Sequence, residues 1–181
     1  MTICVFGAAS ANIDKKYIEQ TEELGKEIAR RKHSLVFGGG GTGVMGAVAR
    51  GVHAEGGFVH GVVPYFFREE GVEILYDEAN KLTYTGDMAT RKKIMEDCAD
   101  AFIIAPGGVG TLEEFFEVLI LKKLSKHNKP IVFFNLDGHY DGIEEFMQTI
   151  IKNKFANESD KKLYTFATDV KEILDIIERE L

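Results

Sequence analysis

Residues 106–114 read PGGVGTLEE, set between the apolar run AFIIA and the stretch FFEVLILKKL. An apolar run that ends in Pro-Gly-Gly is the mark of a buried strand leaving its sheet through a turn. Glycines at 107, 108 and 110 let a ligand approach the backbone closely, and the helix that begins there leaves N–H donors without intrahelical partners. The expected occupant is an anion, with phosphate the first choice. Thr111-x-x-Glu114 also matches a capping box, in which Glu114 would only tie back to the helix start. The sequence leaves both readings of Glu114 open, while Glu113 reads as a solvated first-turn acid.

Working outward, short apolar runs alternate with amphipathic stretches. TICVFG (2–7) and SLVFGG (34–39) read as strands on either side of DKKYIEQTEELGKEIARRKH, where Tyr17, Ile18, Leu24 and Ile28 keep helical spacing. The same reading gives a helix over about 44–55, a strand over 57–63, a less regular stretch over 64–84, a helix over 88–98 and a strand over 101–105. A helix to about Leu124, a strand over 129–135 and two further helices complete the chain, and KFANESDKK (154–162) reads as an exposed loop. Strands alternating with helices predict an α/β fold of one domain over 1–181, with a mostly parallel sheet covered on both faces.

In such a sheet, ligands bind beyond the carboxyl ends of strands, where the strand order reverses. A second glycine loop, GGGGTGVMG (38–46), belongs to that edge and contains Gly41-x-Gly43-x-x-Gly46. It follows the second strand rather than the first, and no acid ends the next strand, so it fails as a dinucleotide fingerprint. Neither loop closes with Gly-Lys-Ser/Thr, so nothing would hold β- and γ-phosphates. A mononucleotide monophosphate is expected instead, with Gly39 and Gly40 beside it. Met88-Ala89-Thr90-Arg91-Lys92-Lys93 places cations near a helix start, which the helix dipole disfavours, and an anionic ligand would compensate them.

The chain has 22 basic and 29 acidic side chains, net charge −7, so a basic footprint for nucleic acid or anionic membrane is missing. No apolar run reaches the roughly 20 residues of a membrane span. Cys4 and Cys98 stand far apart, and the start MTICVFGAAS has no basic region or long apolar segment, which predicts a reduced, cytoplasmic protein. The five histidines show no metal-ligand spacing. No metal or cofactor is expected.

CVFGAAS, FGGGGTGVMGAVA, MATRKKIM, PGGVGTLEE and KPIVFFNLDGHYDGI occur in the order and approximate spacing of the LOG family, whose members also carry the label lysine decarboxylase-like. The resemblance covers about residues 2–155. It implies a Rossmann-like three-layer fold and hydrolysis of the N-glycosidic bond of adenosine or cytokinin riboside 5′-monophosphates, giving free base and ribose 5-phosphate. It places the catalytic arginine on Arg91 and the catalytic glutamate on Glu114. Substrate-binding positions fall on Arg91, Lys92, Gly107, Gly108, Val109, Gly110, Thr111, Leu112 and Glu113, with Glu73 as an acid contacting substrate and Met88 lining the base pocket. Ala89 replaces the histidine of the family motif. A homodimer or higher homo-oligomer is expected, both from the resemblance and from the many apolar faces of FFEVLILKKL. The alternative is a nonenzymatic nucleotide or cofactor carrier of the same fold.

Overall fold

The computed structural model describes residues 1–181. Seven strands form one sheet: β1 (Thr2–Phe6), β2 (Ser34–Phe37), β3 (Val59–Pro64), β4 (Lys81–Thr85), β5 (Ala101–Ile104), β6 (Ile131–Phe134) and β7 (Thr165–Ala167). Their order is β4-β3-β2-β1-β5-β6-β7, and every neighbouring pair is parallel. The connecting helices are α1 (Lys15–Arg30), α2 (Gly43–Ala54), α3 (Tyr65–Glu69), α4 (Met88–Cys98), α5 (Val109–Lys123), α6 (Asp141–Lys152) and α7 (Val170–Glu180). No helix is long and apolar enough to cross a membrane.

Successive strand residues point to opposite faces, so each central strand feeds two cores. Ile3 and Val5 of β1 join Leu35, Phe37, Leu24, Ile28, Val48 and Ile173 beneath α1, α2 and α7. Cys4 and Phe6 join Phe102, Ile104, Met95, Phe115, Phe133 and Met147 beneath α4, α5 and α6. The apolar runs are continuous because both faces are buried. Two glycines set the approach of α1 to α2. A Cβ on Gly25 would lie 2.2 Å from the Val48 carbonyl, and one on Gly51 would lie 2.0 Å from the Glu22 carbonyl.

The structure amends the sequence reading at both sheet edges. The stretch 64–84 contains α3 and β4, and β4 (KLTYT) was not legible as a strand because its Lys81 and its threonines blur the apolar alternation at a half-exposed edge. At the other edge β7 has only three residues. Within 154–162, Glu158–Lys162 forms a 3-10 turn closed by its own capping box between Asn157 and Asp160.

The first four strands run outward from β1 on one side, and β5 then starts a second series on the other. The chain order therefore reverses between β1 and β5. Connections leaving these two strands diverge, which opens a crevice beyond Phe6 and Ile104.

Candidate functional site

The crevice holds a cavity of about 240 Å³ lined by the β1 exit (Gly7, Ala8, Ala9), Met45, Phe67 and Glu73, Met88 and Arg91 of α4, and Gly108, Gly110, Thr111, Glu113 and Glu114. The PGG loop forms its floor. The helix α5 starts at Val109 with Gly108 as its N-cap and no side-chain cap bond. Leu112 is the first residue of the helix to bond back, to the Gly108 carbonyl at 3.0 Å, so the N–H groups of Val109, Gly110 and Thr111 are the open donors. A Cβ on Gly108 or Gly110 would meet no protein atom within 4 Å. Protein packing therefore does not require glycine at these two positions, and their bare backbone leaves space for a ligand. Beneath them, the Thr111 side chain covers Gly107, where a Cβ would fall 2.1 Å from Thr111 Oγ1.

The capping-box alternative is corrected here. Because the helix begins at Val109, Thr111 is its third residue and Glu114 its sixth, too far along to tie back to the cap. The Glu114 carboxylate turns to Arg91 instead, with Oε1 3.5 Å from Nη1. Arg91 is 4% exposed. Its Nε donates to the Val62 carbonyl and its Nη2 to the Gly38 carbonyl, both at 3.1 Å, and the guanidinium lies 5.4 Å from the Phe67 ring centre. A Cβ on Gly38 would sit 1.8 Å from Arg91 Nη2, so the first glycine of the GGGG loop is the seat of the guanidinium.

Asp87 caps α4 by accepting from the Thr90 N–H. The cations after it are compensated within the chain: Arg91 by Glu114, Lys92 by Glu113 and Glu117, and Lys93 by Asp97. Neighbouring carboxylates thus supply compensation that the sequence reading expected from an anionic ligand.

A strap from the irregular stretch after α3 closes one wall. The Gly41 N–H donates to the Ile74 carbonyl and the Tyr76 N–H to the Gly39 carbonyl, while Gly40 bridges Leu75. Gly39 and Gly40 thus stand behind the cavity and hold the strap. This places Glu73 in the wall, with an Oε2 that is shielded from solvent and without a hydrogen-bond partner. The opposite side is braced by the segment after β6. Tyr140 donates its hydroxyl to the Ala105 carbonyl at 2.6 Å, and His139 Nε2 lies 2.9 Å from the Gly107 carbonyl.

Among the residues singled out from sequence, Glu73, Met88, Arg91, Gly108, Gly110, Thr111, Glu113 and Glu114 meet at the cavity. Gly107 lies on a neighbouring, mostly apolar groove of about 300 Å³ with Ser10, Tyr17 and His139, which shares Ala8 and Gly108 with the cavity. Val109 points to solvent, Leu112 packs on the core, and Lys92 lies outside the cavity. Sequence reasoning missed Gly7, Ala8, Ala9, Met45 and Phe67. The usable signal was position, since the first three leave β1 at the point where strand order reverses.

Burial pushes the Glu114 carboxyl up to about 7, against the opposing pull of Arg91. Burial also raises Glu73, again opposed by Arg91. The folded chain therefore holds the Glu114 proton more tightly than the unfolded chain does. Between the ordinary carboxylate range and about pH 7, unfolding releases that proton and stability falls as pH rises. Glu114→Gln should accordingly melt at a higher temperature than the parent at pH 8, with the gap closing below about pH 4. A variant less stable at pH 8 than the parent would contradict this electrostatic account.

With this geometry in hand, residues 45–177 match the family model described as possible lysine decarboxylase. A protein of Oryza sativa subsp. japonica, named probable cytokinin riboside 5′-monophosphate phosphoribohydrolase LOGL6, is 37% identical over 176 residues, covering 97% of this chain and 70% of that protein. Cytokinin riboside 5′-monophosphate phosphoribohydrolase LOG5 of Arabidopsis thaliana is 34% identical over the same length, covering 97% of this chain and 76% of that one. The molybdenum cofactor carrier protein of Chlamydomonas reinhardtii superposes with a TM-score of 0.74 at 24% identity, over 99% of this chain and 96% of that chain, and shows the shared fold. By its motifs, its matched family model and these near-full-length relatives, the chain belongs to the LOG family.

Proposed function

We propose that the chain hydrolyses the N-glycosidic bond of a nucleoside 5′-monophosphate of the adenosine or cytokinin riboside class, releasing the free base and ribose 5-phosphate. The observation that carries this reading is the buried Glu114 carboxylate facing Arg91 beside open helix-start N–H groups. The names of the relatives point to the same bond. A 5′-phosphate on the Gly108–Thr111 backbone anchors the nucleotide through the helix dipole and the free donors. The glycosidic bond then lies toward Arg91 and Glu114.

Bond breaking builds positive charge on the sugar and negative charge on the departing base. Glu114 stabilises the oxocarbenium-like carbon and orients or deprotonates the attacking water. The hydroxide adds to the anomeric carbon and the water's other proton reaches the base, so atoms balance. A carboxylate titrating near 7 is matched to proton transfer at neutral pH. Arg91 either stabilises the leaving base or holds the phosphate, and both roles suit a guanidinium fixed by two carbonyls.

Lysine decarboxylation draws on pyridoxal phosphate held as a Schiff base on a lysine. No lysine lines the cavity, and the Lys92 ammonium is engaged by Glu113 and Glu117, so the residues do not fit that cofactor. The carrier alternative gains nothing from the Chlamydomonas protein, because likeness at 24% identity speaks to fold.

Free-base release from AMP and from adenosine tests the proposal. AMP is cleaved and adenosine is not, because the loop spends its donors on the phosphate. Glu114→Gln lowers base release roughly 10²–10⁴-fold while AMP still raises the melting temperature. Equal rates on AMP and adenosine would overturn the phosphate reading, and negligible release by the parent with retained AMP binding would favour a carrier.

The proposal includes a homo-oligomer. On α5, Phe115, Val118 and Leu119 enter the core, whereas Ile120 and, just past the helix, Leu124 are 50% and 61% exposed. Sedimentation at micromolar concentration should show a dimer or larger species, and a monomer would refute this part.

A further inference from the structure

Lys92 follows Arg91 in sequence but serves a different contact. Its ammonium hydrogen-bonds Glu113 and forms an ion pair with Glu117, two carboxylates one turn apart on α5. Its side chain is 15% exposed, and it is absent from the cavity lining. The bridge runs from α4 to α5, the two helices that carry Arg91 and Glu114, at the adjacent position on each. Space lies on both sides of it. The candidate cavity is on the inner side, and a groove of about 450 Å³ lined by Lys93, Glu96, Asp97, Glu117, Leu121 and Lys126, among others, is on the outer side. Glu113 lines the cavity and Glu117 lines the groove, so the bridge stands between the two spaces and joins α4 to α5 there. Burial alone would lower the Lys92 pKa, but Glu113 and Glu117 raise it, so the ammonium keeps its proton at neutral pH.

We propose that Lys92 is a positioning residue, tying α4 to α5 through Glu113 and Glu117 so that Arg91 and Glu114 keep their working separation, and that it makes no contact with the nucleotide. The inference rests on the reading of the cavity as a nucleotide site. Small misplacements of catalytic groups cost rate out of proportion to binding, as a shift on the order of 1 Å can cost 10²-fold. A lysine that held the phosphate would instead contribute mainly to affinity.

The test uses Lys92→Met, Glu117→Gln, their combination and Lys92→Arg in the full chain, with kcat and KM for AMP and calorimetric Kd for AMP. Positioning predicts that Lys92→Met lowers kcat about tenfold or more while Kd for AMP stays within about twofold. Glu117→Gln lowers kcat in the same direction although Glu117 is outside the cavity, the double variant is no worse than Lys92→Met, and Lys92→Arg restores rate. A Kd weakened more than about tenfold by Lys92→Met, with Glu117→Gln silent, would overturn the proposal and place Lys92 on the substrate. Should Lys92→Met fail to fold, Glu117→Gln decides by its kcat alone. If the parent binds AMP but releases no base, the hydrolase reading fails, and the contact claim is still decided by the Kd of Lys92→Met. A parent that neither binds nor cleaves AMP removes the site on which the proposal stands.

Discussion

The site depends on one buried cation, the guanidinium of Arg91. Almost no charged side chain is buried to this degree unless it is paired and hydrogen-bonded. Arg91 meets that condition with the Val62 carbonyl within β3, the Gly38 carbonyl just past β2, and the Glu114 carboxylate on α5. Each partner comes from a different element, so the guanidinium fixes where α4 and α5 stand over the sheet edge. Removing the cation of a buried pair commonly costs about 3–5 kcal/mol, because the carboxylate is left uncompensated. Here Glu114 has a way to relax, since it can take a proton near neutrality.

That relaxation ties architecture to chemistry. For Glu114, burial outweighs the attraction of Arg91, and Glu113 adds further repulsion. Glu73 enters the same wall with an unpartnered oxygen. A cavity with three carboxylates and one guanidinium would repel a phosphate if charge were spread evenly. It is not spread evenly. The Glu113 charge is drawn away by Lys92, while the open N–H groups of Val109, Gly110 and Thr111 collect at the start of α5. The result is a donor-rich floor beside an acidic wall, which matches a substrate that is anionic at its phosphate and becomes cationic at its anomeric carbon during reaction.

The central sheet was legible in the sequence because strands buried on both faces read as uninterrupted apolar runs, as in AFIIA and KPIVFF. The edges were not, since KLTYT breaks its apolar residues with a lysine and threonines, and TFA is only three residues long. The PGG loop announced itself through glycines and a helix start, which are local features. The role of Gly38 was invisible for the opposite reason: it depends on Arg91, 53 positions along the chain. The choice between cap and charge partner for Glu114 also needed three dimensions, because the helix begins before the threonine that made a capping box plausible. Tyr140 and His139 lay inside a recognised motif, yet only the packing of the segment after β6 shows that they brace the Ala105 and Gly107 carbonyls.

The central claim is that the reversal of strand order between β1 and β5 builds a nucleotide monophosphate site whose reacting bond faces Glu114. A crystal structure of Glu114→Gln soaked with AMP tests it most directly. The account predicts phosphate oxygens within about 3 Å of the N–H groups of Val109, Gly110 and Thr111, with the anomeric carbon turned toward residue 114 and Arg91. A phosphate bound away from the start of α5, or an anomeric carbon turned away from Arg91 and residue 114, would contradict it.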